Sequence, residues 1–149
     1  MAKQQLMYME TTCIDASKTA GEVMVELRKA GAKSINQDFG PGGAIVGMKW
    51  VQPVMGRDML FEMPIRVDPV LKRLTIRRGD RQHAERVAWR QLLRWIQAQN
   101  AMITCGMAQA HEVFAPYMVV GPGGETLFQM IESGSQLKIL ASPTNLSCG

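Results

Sequence analysis

The chain has 149 residues, 46% of them hydrophobic and 20% charged, with a formal net charge of +4. That composition excludes a disordered chain, and no run approaches the roughly 20 apolar residues of a membrane-spanning helix. It leaves a soluble globular domain large enough to bury a core, with an excess of positive charge that specifies a partner only where it is concentrated.

Met1 to Ile14 reads either as a short strand on a sheet edge or as an arm docking on a partner. MAKQQLMYMETT lacks the long apolar core of a secretory leader, so a cytoplasmic setting is expected. Asp15 to Ala30 is predicted helical. Ala20, Val23, Met24, Leu27 and Ala30 recur at helical spacing, Thr19 and Glu22 have capping-box spacing with Ser17 as a rival cap, and Gly31 supplies a stop. Three strands are predicted next, over Lys33–Phe39, Ala44–Gln52 and Met59–Val67, separated by Gly40-Pro41-Gly42-Gly43 and by a turn over Pro53–Asp58. The third alternates most cleanly, with Met59, Phe61, Met63, Ile65 and Val67 on one face; Pro64, which has no N–H, marks an edge strand or its end.

Asp68-Pro69 has the form of a cap followed by proline at the first helical position, and a short helix is predicted to run to about Arg77. Asp80 to Gly106 is the organising stretch. Ala84, Val87, Ala88, Leu92, Trp95, Ile96, Met102 and Ile103 form an apolar stripe that Trp89 and Leu93 widen, on a helix about 38 Å long. Arg86, Arg90 and Arg94 fall at i, i+4 and i+8, predicted to stack along its outer edge. Beyond Gly106 come a short helix over Ala108–Ala115, an extended Tyr117–Val120, a second GPGG turn and a helix over Glu125–Glu132 with Leu127, Met130 and Ile131 buried. Gln136–Leu140 adds a candidate strand. Residues 1–140 read as a single domain and 141–149 as a flexible tail.

Catalytic signatures are sparse. His83 and His111 stand in no metal-ligand spacing, and Cys13, Cys105 and Cys148 form no CxxC. Acyl-transfer, phosphate-loop and dinucleotide motifs are missing, so no catalytic residue, metal site or cofactor is assigned and a non-enzymatic role is expected. His83 reads as a surface residue, and Asp68 and Asp80 as caps. Of Trp89 and Trp95, about 600° apart around the helix, one is expected in the core and the other exposed. The twelve methionines fall mostly on predicted core faces.

The arginines are the strongest functional feature. Arg77, Arg78 and Arg81 lead into the long helix and Arg86, Arg90 and Arg94 run along it, with Glu85 as the neutralising charge on the helix. A solvated face is the competing reading. Arginine nevertheless favours forked phosphate contacts, so these six residues are the candidate nucleic-acid-binding set.

The run AERVAWRQLLRWIQAQNAMI, with FEMPIRVDPVL upstream and HEVFAPYMV downstream, resembles small proteins of unassigned function encoded by phages and mobile elements, over roughly Thr19 to Ile131. The resemblance implies a phage setting inside a host cell and brings no activity or site residues. The order helix–three strands–helix is also similar to the double-stranded-RNA-binding domain. It lacks that family's lysine cluster, however, and inserts Asp68–Arg81 before the long helix. The same order is similar to ring-forming single-strand annealing proteins, without their motifs. The expected fold is a three-stranded antiparallel meander packed against an N-terminal helix and one long helix, with a small helical C-terminal cap. The expected function is sequence-independent nucleic-acid binding, with a host-defence inhibitor that binds a host protein or nucleotide, or an oligomeric assembly component, as the alternatives. A homo-oligomer and no membrane partner are expected.

Overall fold

The alternating segments form an antiparallel sheet of order β1-β2-β3, built from β1 (Ser34–Phe39), β2 (Ile45–Val54) and β3 (Arg57–Pro64). The structure is a computed structural model that describes residues 5–134, so the Gln136–Leu140 strand and the 141–149 tail lie outside the described residues. Gln37, Met48 and Met63 align across the sheet, as do Ile35, Trp50 and Phe61, and these rows face the core. The turn between β2 and β3 is tighter than expected. Met55 and Gly56 both take positive φ, the two-residue hairpin geometry whose twist matches the flanking strands. Pro64 ends β3 at the sheet edge, opposite Gly47. A side chain at Gly47 would sit 2.8 Å from the Met63 carbonyl oxygen, so only glycine admits this close approach.

One face of the sheet is covered by α1 (Ala16–Lys29) and α3 (Arg81–Thr104). Ala20, Val23 and Leu27 from α1 meet Trp89, Leu93 and Ile96 from α3 over Met48, Trp50, Phe61 and Met63. Fully burying each aliphatic side chain contributes roughly 1.5–3 kcal/mol. Trp50 stacks on Phe61 with ring centroids 5.2 Å apart, and Phe114 of α4 (Ala110–Phe114) meets Trp50 edge-on at 5.6 Å. The buried Gln52 accepts from Trp50 Nε1 and donates to the Ala30 carbonyl, tying β2 to the end of α1. These layers and their order are those expected for an α+β domain. Among the described residues, no helix is long and apolar enough to cross a membrane.

Several local expectations are corrected. The short helix α2 spans Asp68–Arg73 and stops before Arg77, because the Thr75 and Ile76 amides bond the Glu10 carboxylate rather than α2 carbonyls. Asp68 is the first helical residue and makes no cap bond; it accepts from Arg81 at 2.8 Å. Asp80 does cap α3, accepting from the His83 amide. The His83 side chain is buried rather than on the surface, with Nε2 donating to the Glu10 carbonyl at 2.8 Å. The last helix, α5 (Leu127–Ser133), starts after Glu125 because Thr126 and Gln129 form a capping box, and Ile131 is exposed. Met118 and Val119 bridge onto β3 and onto Thr126, so the C-terminal elements close the β3 edge.

The N-terminal segment forms no strand among residues 5–14. It lies against its own chain: Glu10 receives the Met7, Thr75 and Ile76 amides, and Gln91 donates to the Tyr8 carbonyl. Beneath it a second cluster joins Val67, Leu74, Ala84, Val87 and Ala88, with Met7 packed on them.

Candidate nucleic-acid interface

The six arginines do not form one surface. An i, i+4 row on an α-helix drifts by about 40° per step, so Arg86, Arg90 and Arg94 sweep round α3 rather than stacking in line. Arg90 turns into the α1–α3 seam, where its side chain is 8% exposed and its Nη1 lies 3.0 Å from Glu22 Oε2. Arg86 lies beside it, 17% exposed, with Nε 3.8 Å from Asp15 Oδ1. Asn100 continues the seam by donating to the Glu26 carbonyl and carboxylate. What reads as an arginine ladder is therefore in large part an interhelical seam, with α1 supplying the carboxylates. Arg94 is exposed and donates to Gln97.

The other three lie in or beside the loop between α2 and α3. Arg81 is exposed but committed to Asp68 at 2.8 Å, with Glu85 at 3.9 Å. The Asp68 carboxylate, by hydrogen bond and by charge, raises the Arg81 pKa above its ordinary value. Arg77 and Arg78 are exposed on the loop itself, and Lys72 and Arg73 face solvent from the last turn of α2. Lys72, Arg73 and Arg77 enter no ion pair with the described residues. Lys72, Arg73 and Arg78 line one open concavity of about 530 Å³ with Thr75 and Gly79, and no carboxylate contributes to its wall.

This loop is held from below. Both the Thr75 and Ile76 amides donate to Glu10 Oε2 at 2.7 Å, while Met7 donates to Oε1 at 2.9 Å. Burial alone would raise the Glu10 pKa. The amides of Ile76, Met7 and Thr75, helped by the electrostatic influence of the adjacent His83, outweigh it and hold the carboxyl below its ordinary 4.5. Leu74 anchors the loop in the second cluster, and Asp80 closes it by donating its amide to the Arg77 carbonyl at 3.0 Å. Arg77 takes φ +51, a left-handed conformation that costs a non-glycine residue roughly 1–2 kcal/mol.

The geometry thus brings together Lys72, Arg73, Arg77 and Arg78, keeps Arg81 at their edge, and separates Arg86, Arg90 and Arg94 from them. Lys72 and Arg73 lay outside the sequence-predicted set although they belong to the same basic segment; their position in the last turn of a short helix was the available signal. Glu10, which shapes the loop, offered none, because its partners lie 65 and 66 residues away. Among the described residues no cluster of His, Cys, Asp or Glu could hold a metal ion. Trp50 and Trp89 are in the core, while Trp95 is 36% exposed. No protein-family profile, no curated protein and no solved structure matches the chain.

Proposed function

We propose that this protein binds nucleic acid through the phosphate backbone, without catalysis and largely without regard to sequence, using the loop between α2 and α3. The concavity lined by Lys72, Arg73 and Arg78, with no carboxylate in its wall, carries the reading. Two further features support it. Glu10 and Leu74 fix the loop, so little ordering entropy is lost when a phosphate docks. Arg77 keeps a left-handed backbone where glycine would be cheaper, as expected where a side chain is needed at a strained position. A phage or mobile-element setting belongs to the proposal through the sequence resemblance alone.

The test is affinity for single- and double-stranded DNA and RNA across a salt series. Three or four phosphate contacts give a slope of log affinity on log salt of about −2.7 to −3.6 on duplex, a loss of about fortyfold to 150-fold between roughly 50 and 200 mM salt, and a slope of about −2 to −3 on single strands. Replacing Lys72, Arg73 or Arg77 by alanine lowers that slope by about one contact each. A flat salt response, or no binding at low salt, refutes the proposal.

A further inference from the structure

The basic concavity is the end of a longer track. Next to it, sharing Arg73, is a cleft walled by Met7 and Val70; that cleft shares Val70 and Gln91 with a third. The third runs between α3 and the end of β3, over Leu92, Ile65 and Val70, to Trp95 and Tyr117. Arg66 and Tyr117 then belong also to a fourth cleft, on the outer sheet face, which Phe128 lines together with Lys49 and the acidic Asp38 and Glu62, so the track ends at Tyr117. The two middle clefts contain no acidic residue, and each has one arginine, Arg73 at one end and Arg66 at the other. Between and beyond those cations stand three aromatic rings that the core does not fully enclose. Trp95 is 36% exposed and edge-on to Tyr117 at 6.2 Å; Phe128 is 36% exposed with the Arg66 guanidinium 5.2 Å from its ring centre.

Cations alternating with accessible rings over an apolar floor match one ligand chemistry. Phosphates pair with Arg73 and Arg66, while unpaired bases stack on the indole and phenol faces. A duplex can offer the phosphates but not the base faces, which are already stacked within it. We infer that the track from the α2–α3 loop to Trp95 and Tyr117 is a binding groove for single-stranded nucleic acid. This deepens the proposed function and rests on it, because the loop supplies one end of the same groove.

The tryptophans provide a local reporter. Trp50 and Trp89 are 1% exposed, so quenching of intrinsic fluorescence by stacked bases reports on Trp95. The full chain is titrated with oligothymidylate and oligouridylate of about 20 nucleotides and with a duplex of the same length, following fluorescence and, separately, anisotropy of labelled nucleic acid. The expected result is quenching by single strands and not by duplex, with tighter binding of the single strands. Trp95→Leu, which keeps an apolar side chain against Phe114, abolishes the quenching and weakens single-strand binding about tenfold, while duplex binding and its salt slope are unchanged. The wild-type quenching needs no variant, so the inference stays testable if Trp95→Leu is unstable. Salt-dependent binding without quenching, or equal affinity and quenching with duplex, overturns the groove and leaves the loop proposal standing. No salt-dependent binding of any nucleic acid removes the loop proposal and the groove with it. The rival occupant is a second copy of the chain: self-association that shields Trp95 from iodide and prevents the quenching also overturns the inference.

Discussion

Replacing Glu10 by glutamine changes a single charge at the point where the N-terminal segment grips the basic loop. The carboxylate accepts three amides, two through Oε2 at 2.7 Å and one through Oε1 at 2.9 Å. Glutamine retains one oxygen. If that oxygen stays on Thr75 and Ile76, the new NH₂ faces the Met7 N–H, donor against donor. Hydrogen bonds to a charged group contribute about 1.5–3 kcal/mol against roughly 0.5–1.5 for neutral ones, so two weakened bonds and one lost bond amount to about 4–5 kcal/mol. Urea denaturation at pH 7, followed by tryptophan fluorescence, is the assay.

The pH dependence tests the cause as well as the size. Glu10 has its folded-state pKa held below the ordinary 4.5. Its contribution is therefore fully present above the unfolded pKa and is lost as pH falls through the folded one. Glutamine does not titrate, so the difference between wild type and Glu10→Gln is widest near neutrality and narrows below pH 4.5, while the other carboxylates titrate in both proteins and cancel. A gap that stays constant into the acid range, or a variant as stable as wild type, refutes the assignment of Glu10 as a charged anchor.

The α1–α3 seam predicts an asymmetry. Glu22→Ala strands the Arg90 charge at 8% exposure and costs about 2–3 kcal/mol, whereas Arg90→Met fills the same space and frees Glu22, already 38% exposed, at about 1 kcal/mol or less. Thermal denaturation that reverses this order places the burial on the wrong partner. Gly47→Ala drives a methyl group to 2.8 Å from the Met63 carbonyl oxygen and is expected to destabilise by about 1–3 kcal/mol; an unchanged melting temperature shows that β2 and β3 can part there freely. Gln52→Leu leaves the Trp50 N–H and the Ala30 carbonyl without their buried partner, a loss of about 1–3 kcal/mol, with the near-ultraviolet dichroism of Trp50 changing in step.

The features legible in the sequence are those whose cause is local. The α1 spacing of Ala20, Val23 and Leu27, the alternation through Phe61 and Met63, and the Asp80 cap each depend on neighbours within a few residues, and each is found in the fold. Asp68-Pro69 shows the limit of such patterns, because a pairing with Arg81 takes the side chain that a cap would have used. Long-range polar choices were not legible. Glu10 meets Ile76, His83 meets the Glu10 carbonyl and Arg90 meets Glu22 across 66, 73 and 68 residues, and periodicity marks apolar faces without saying which polar residue will find a buried partner. For the candidate site, the basic composition of Arg77 to Arg94 was readable. The division of its cations was not, since it depends on where α1 lies against α3.

That division follows from how α3 is used. One flank carries Arg86 and Arg90, and there the exposed Asp15 at the start of α1 and the partly exposed Glu22 face them. The opposite flank carries Gln91, Leu92 and Trp95; there Trp95 meets Phe114 of α4, and all three side chains also border the cleft toward β3 and α2. Arg86 and Arg90 on the first flank tie α3 to α1, whereas Lys72, Arg73 and Arg77, ahead of its N-terminus, are exposed. Trp95 lies on α3, and the Glu10-anchored loop leads into the Asp80 cap of the same helix, so one element connects the two. Under the proposed groove, the arginines that drop out of the candidate interface still bear on it, because their pairs with Asp15 and Glu22 seat against α1 the helix that carries Trp95.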